Sequence, residues 1–240
     1  MDCSSQMKKY IYVILVPFYL FGSEKLIVGE KLHYSASFKG IKAATAKLEV
    51  VDTVEVNKIK TYHVRFTAKS IGITDYIFPI RDVIDIWLSK DSLMTIKVES
   101  NIHEGNFEKK SSLAVYHNNS YLTSNNDTIY FEKTVHSPYS LFYYFRNKNL
   151  QDYKNKTIYT IQGKKMTKLL LLVEDNVSTT VPAGSYFCTK LTPIKSDNKN
   201  FKNESKMSIL FSKDSDRYPV KIWLHLKYGS LVLDLKNVVY

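Results

Sequence analysis

The chain has 240 residues, 44% of them hydrophobic and 13% aromatic, with 34 Lys and Arg against 23 Asp and Glu and a net charge of +11. That length suits one large all-β domain or two small ones and is ample for a real core, while two cysteines are too few for a disulfide scaffold or a cysteine-based metal cage. Excess lysine favours anionic surfaces such as acidic lipid headgroups or envelope polymers, although here the basic residues are scattered rather than clustered.

Lys8 and Lys9 precede an uncharged run from Tyr10 to Phe21 that ends at Gly22 and Ser23, the charged, apolar, small order of a secretory signal peptide. The run is about a dozen residues long, short of the roughly 20 that a permanent spanning helix needs. Residues 1–23 are therefore read as a cleaved signal, and the protein as exported. Met7, directly before the lysines, is the natural initiator and leaves residues 1–6 as an extension that holds Cys3. Cys188 is then the only cysteine of the mature part, where a lone thiol is expected simply to be buried. Loss of Asp2, Lys8 and Lys9 lowers the charge from +11 to +10. An exported chain rarely meets nucleic acid, so none is expected as a partner.

From Lys31 on, polar and apolar residues alternate with a period of two, as in half-buried strands. Such stretches occur at Ala46 to Val56, Thr61 to Ala68, Val83 to Ser89, Leu93 to Ser100 and Lys109 to Tyr116. Others follow at Thr157 to Ile161, Leu169 to Asp175 and Met207 to Ser212. Val220, Ile222, Leu224 and Leu226 then face one way and Lys221, Trp223, His225 and Lys227 the other, before a hairpin turn at Tyr228-Gly229-Ser230. Turn residues at His103 to Asn106, His117 to Ser120, Pro182 to Gly184 and Asp214 to Asp216 separate the strands. The expected fold is all-β. A large antiparallel meander forms a half-barrel, a barrel or a two-sheet sandwich, in one domain over residues 24–240.

One segment departs from this pattern. Ser137 as N-cap and Pro138 at the first helical position open a run in which Leu141, Tyr144 and Phe145 share a face, so one short helix is predicted near residues 138–147, packed on the sheet. Its flanks, Ser124 to Asp127 and Asn147 to Lys156, read as loops, and Ser196 to Ser205 as a mobile one.

Signals for chemistry are sparse. Six histidines, at 33, 63, 103, 117, 136 and 225, are dispersed, and His103-Glu104 or His33 near Glu30 require no metal by their spacing. No glycine-flanked serine elbow, cysteine–histidine signature or phosphate-cradling glycine loop is present. No metal and no cofactor is expected. Asp82 and Asp85 lie three apart and would point to opposite faces of a strand, and Arg81 with Asp82 reads as a surface ion pair. In Asp214-Ser215-Asp216-Arg217 the simplest reading is a tight turn held by aspartate side chains that accept backbone N–H bonds.

Six segments nevertheless fall in a familiar order. Gly29-Glu30-Lys31-Leu32-His33-Tyr34, Gly40-Ile41, Arg81-Asp82 with Asp85, Glu104-Gly105-Asn106-Phe107, Ser137-Pro138-Tyr139-Ser140-Leu141 with Tyr143 and Arg146, and Asp216-Arg217-Tyr218-Pro219-Val220 resemble the bacterial exported family known as domain of unknown function 3108. The resemblance runs over nearly the whole mature chain. Ala43-Ala44, in place of a glycine after Gly40-Ile41, and the lack of an aspartate before Ser137 are its departures. It implies a protein of the periplasm or cell envelope, mostly β, with no established activity. By looser analogy the layout is similar to the half-barrels of lipoprotein carriers.

Three readings follow. The leading one is a non-enzymatic, monomeric binder or carrier of a lipid, lipoprotein or anionic envelope polymer, with peripheral membrane contact. Its candidate ligand-binding residues are Arg81, Asp82, Tyr143, Arg146, Asp216 and Arg217, and it calls for an apolar cavity of about 300–1,000 Å³. A structural or assembly module that binds another envelope protein calls for an exposed apolar patch. An enzyme on envelope polymers calls for two of Asp82, Glu104 and Asp216 to converge, with carboxyl groups closer than about 10 Å.

Overall fold

The computed structural model of the chain describes residues 26–125, 127–195, 206–226 and 229–240. The signal segment at 1–23, the Ser196 to Ser205 loop and Tyr228 of the predicted hairpin turn lie outside the described residues. The first meander holds β1 (Lys31–Phe38), β2 (Ile41–Val56), β3 (Ile59–Ser70), β4 (Arg81–Ser89), β5 (Thr95–Glu104), β6 (Phe107–Tyr116), β7 (Tyr121–Ser124) and β8 (Asp127–Tyr130), with a helix α1 (Gly72–Ile77) between β3 and β4. The second holds β9 (Val135–His136), β10 (Thr157–Gln162), β11 (Lys165–Val181), β12 (Gly184–Lys195), β13 (Lys206–Ser212), β14 (Pro219–Leu226) and β15 (Gly229–Val239), with a helix α2 (Leu141–Tyr144) between β9 and β10.

All fifteen strands form one sheet in the order 8-7-6-5-4-3-2-1-15-14-13-12-11-10-9. The two meanders join through β1 and β15, which run antiparallel from Lys31 opposite Val239 to Phe38 opposite Leu231. The sheet is not closed, and β8 and β9 are its edges. Only residues 131–134 link those edges, so Tyr130 and Val135 lie at most about 18 Å apart at ~3.6 Å per residue. The result is a nearly closed, barrel-like wall. Every strand pair is antiparallel except β9 with β10, where Val135 sits opposite Tyr159 in a parallel pair, a departure from the expected uniform meander. The expected loop at Ser124 to Asp127 is instead the tight β7–β8 hairpin.

Alternation decides which face fills the wall. Along β4, Asp82, Ile84, Ile86 and Leu88 are buried while Arg81, Val83, Asp85 and Trp87 face outward, so Asp82 and Asp85 are on opposite faces as their spacing requires. β12 carries Pro193, which lacks a ladder donor. It pairs with Leu171 of β11 and lies beyond the Cys188–Leu191 stretch that pairs with β13, where that loss costs least.

Inside the wall lies the segment that follows β9. Ser137 caps it by accepting from the Tyr139 N–H at 3.3 Å. A 3₁₀ turn Pro138–Ser140, the α2 turn and a second 3₁₀ turn Phe145–Asn147 make up the predicted helix, and a further 3₁₀ turn, Leu150–Tyr153, occupies the expected loop. Thr95 of β5 pins its start by donating to Ser140 Oγ at 2.9 Å and accepting from Ser137 N–H at 3.0 Å. Leu141, Phe142, Tyr143, Phe145 and Leu150 are all buried in the core, each large apolar side chain contributing about 1.5–3 kcal/mol. Phe145 meets Tyr153 and Phe211 edge-on, at 5.4 and 6.5 Å between ring centres. The concave side of the sheet is thus occupied by the chain itself.

Candidate functional site

Strand direction places the β1–β2 turn, α1 and the β5–β6 turn at one end of the sheet. The β2–β3 turn, the β13–β14 loop and residues 26–30 lie toward the other end. The six segments that carry the resemblance sort between these two ends.

At the second end, Arg146 grips Glu30 with both prongs, Nη1 to Oε1 at 2.5 Å and Nη2 to Oε2 at 2.8 Å, and its Nε donates to the Asp216 carbonyl at 3.2 Å. The side chains of Arg146 and Glu30 are only 7% and 2% exposed. Burial opposes the Arg146 charge, but hydrogen bonds and attraction from Glu30 outweigh it and raise the guanidinium above its ordinary pKa. The rings of Tyr143 and Tyr218 lie 5.8 and 5.1 Å from that guanidinium. Tyr34 donates its hydroxyl to the Pro219 carbonyl at 2.9 Å, and the Tyr143 hydroxyl is buried without a hydrogen-bond partner among the described residues. Arg217 donates to the Lys148 carbonyl, and Asp214 Oδ1 accepts from the Asp216 and Arg217 N–H groups at 3.1 and 3.0 Å, the aspartate-held turn expected from sequence. Tyr143, Arg146, Asp216 and Arg217 are therefore together, but the Arg146 guanidinium, the Asp216 backbone and an Arg217 N–H are spent on the protein itself. This cluster locks the interior segment to β14, the loop before it and the residue that precedes β1.

At the first end, Arg81 does not pair with Asp82 as expected. Its fork clamps Asp75 of α1, Nη1 to Oδ1 at 2.5 Å and Nη2 to Oδ2 at 2.9 Å, because Arg81 points outward and Asp82 inward. Ser70 also donates to Asp75, and hydrogen bonds from Arg81 and Ser70 lower its carboxyl pKa to about 2. Asp82 accepts from the His103 N–H at 3.0 Å and shares a side-chain hydrogen bond with Glu104. Burial raises the pKa of both carboxyls, with the Asp82 charge adding to the rise at Glu104, so the pair holds a proton more tightly than free acids do. Two of the three carboxylates named above thus converge, while Asp216 is at the opposite end.

Sequence reasoning missed what surrounds this pair. Three of α1's six residues, Ile73 at 73%, Tyr76 at 91% and Ile77 at 71%, leave their large side chains in solvent, and none of the helix is buried. Phe78 follows, also exposed, with its ring so close over Gly105 (φ +60) that a Cβ there would meet it at 2.7 Å. Phe107 on the far side of that turn and Ile41 at the start of β2 are exposed as well. The Ile71 N–H donates to the Ala43 carbonyl at 2.9 Å, and Gly105 N–H to the Pro79 carbonyl at 2.8 Å, so helix, strand start and hairpin form one rim. The available signal was Ile73, Tyr76 and Ile77 at the i, i+3, i+4 spacing of one helical face, in a stretch only six residues long.

Among the described residues no group of three or more His, Cys, Asp or Glu could hold a metal ion, and no helix is long and apolar enough to cross a membrane. A family model described as "Protein of unknown function (DUF3108)" matches residues 33–236. The chain belongs to this family. The DUF3108 match begins within β1 and ends within β15, so it takes in both meanders, the interior segment and the rim. Among solved structures, this DUF3108 chain is similar to a β-barrel-like protein of domain of unknown function DUF1849 from Brucella abortus. The two share 7% identity and a TM-score of 0.56 over 89% of this chain and 98% of that one. That likeness shows a shared β-barrel-like fold. A protein from Bacteroides fragilis assigned as exported, with a YmcC-like fold, aligns over 89% of this chain and 97% of its own at 10% identity and a TM-score of 0.33. No curated protein matches the chain.

Proposed function

We propose that this DUF3108 protein is an exported, non-enzymatic envelope protein that binds a lipid surface through the rim around α1. The observation that carries the reading is the exposure of Ile73, Tyr76 and Ile77 on a helix that buries none of its residues. Soluble monomers rarely leave large apolar side chains clustered in water, and such a cluster marks a surface that meets a membrane or partner. The rim is not slack, since the Arg81 fork on Asp75 fixes α1 from its polar side. Lys39 and Lys42 are exposed on either side of Ile41, and basic residues beside an apolar rim suit anionic headgroups. The filled interior favours contact at this surface over carriage of an acyl chain within the wall.

Flotation of the purified chain with vesicles of phosphatidylcholine containing 30% phosphatidylglycerol tests the reading. The wild type should float, and the Ile73→Asp/Ile77→Asp variant should lose at least tenfold in bound fraction while keeping its fold. A wild-type protein that stays at the bottom of the gradient rejects it.

A further inference from the structure

The outward face of β15, β1, β2 and β3 holds a shallow cleft of about 160 Å³ that none of the foregoing uses. Register explains how it forms. His33 lies opposite both Asn237 and Lys47, Lys47 opposite Thr67, and Thr45 opposite Lys69, so these side chains share one face across four strands. Between His33 and Tyr34 the pairing with β15 jumps from Asn237 to Leu235, leaving Lys236 as the extra residue of a bulge. A bulge re-aims its extra side chain and sharpens the local twist, and here Lys236 joins the cleft lining.

The cleft is electropositive, and all but one of its lysines are uncommitted. Lys47 is taken by Glu49 at 2.5 Å. Among the described residues Lys69 and Lys236 make no ion pair, and Lys69 acts on Asp75 only at longer range. The Thr45 and Thr67 hydroxyls and the Asn237 amide likewise make no side-chain hydrogen bond among the described residues. Two ammonium groups converging with three neutral polar groups match an anion with several acceptor oxygens, for which lysine serves as a point charge. The volume equals about five water volumes at ~30 Å³ each, too little for a ligand that fills the usual ~300–1,000 Å³ site.

We propose that this cleft is a binding site for a phosphoryl group, either a lipid headgroup phosphate or a soluble phosphate ester. The site is on a different surface from the apolar rim and stands without it. Lys69 lies only two residues before Ile71 at the foot of α1, so a protein seated on a bilayer by its rim would carry the cleft on the wall above.

Amide spectra of the full chain titrated with inorganic phosphate against chloride at matched ionic strength test this. Saturable shifts are expected at Thr45, Thr67, Lys69 and Asn237, with affinity at least fivefold weaker in Lys69→Gln/Lys236→Gln. Lys109→Gln/Lys110→Gln, which removes the same charge from exposed positions on β6, should bind as wild type. Phosphate shifts that match chloride, or an unchanged affinity in Lys69→Gln/Lys236→Gln, overturn the proposal. Flotation of the same variant separates the two sources. A reduced bound fraction on the phosphatidylglycerol vesicles identifies a headgroup site, and an unchanged one, with phosphate affinity lost, identifies a soluble ester. The phosphate titration contains no bilayer, so failure of the rim reading leaves this result intact.

Discussion

Glu30 and Arg146, 116 positions apart, meet as a buried, two-pronged ion pair at 2.5 and 2.8 Å. One belongs to the segment before β1 and the other to the interior segment, so the pair ties the barrel's filling to its wall. Removing one partner leaves the other charge buried and alone, a loss of about 3–5 kcal/mol, whereas replacing both with apolar residues of similar size costs much less. Arg146→Met should therefore lower the unfolding free energy by about that amount in urea titrations, and Glu30→Leu/Arg146→Met by clearly less. A single variant within about 1 kcal/mol of wild type would show that the pair is not the tie described here.

At the opposite end, Asp82 and Glu104 press two carboxyls together. Their raised pKa values mean that the folded state binds protons more tightly than the unfolded chain, so this pair costs stability once pH exceeds the raised values and costs nothing below the ordinary carboxylate range. Asp82→Asn keeps an oxygen for the His103 N–H and removes the like charge. It should stabilise the protein at pH 7 by on the order of 1 kcal/mol, the scale of one hydrogen bond, with the gain gone near pH 3. Unfolding curves of the variant at both pH values check the sign. A gain that grows on acidification would contradict it.

His136 provides a second pH signature of opposite sense. Burial first, then the charges of His117 and Lys148, lower its pKa from 6.5 to about 4, and its Nδ1 is buried without a hydrogen bond among the described residues. Its ring sits 4.3 Å from that of Tyr144. A base depressed in the fold leaves stability intact above the unfolded pKa of 6.5 and takes it away progressively between 6.5 and about 4. The span corresponds to about 3 kcal/mol at ~1.4 kcal/mol per pH unit. His136→Phe, which keeps an aromatic ring beside Tyr144, should flatten this part of the stability profile. Identical wild-type and variant slopes between pH 7 and 4.5 would refute the assignment.

Much of the wall was legible because a strand records its two faces in its own sequence. Val220, Ile222 and the interior of β4 alternate so strictly that their buried face follows without a partner. Ser137 and Pro138 marked the start of the interior segment because a cap is a contact between neighbours. Cys188 is buried as expected, and burial lifts its thiol pKa to about 11. α1 was not legible. Ile71 gives no side-chain cap, β-branched Ile73, Thr74 and Ile77 disfavour a helix, and the hold on Asp75 comes from Arg81 on the next strand.

By itself the sequence determined most of the longer strands, their inward faces, the start of the filling segment and the aspartate-held turn at Asp214, all set by contacts within a few residues. Only the tertiary structure decided that β1 closes on β15, that Arg81 serves Asp75 rather than Asp82, that Glu30 meets Arg146, and that α1 stands with its apolar side chains in solvent. These depend on pairings between distant strands, whose register is chosen by the packing of the whole sheet and leaves no local trace in the chain.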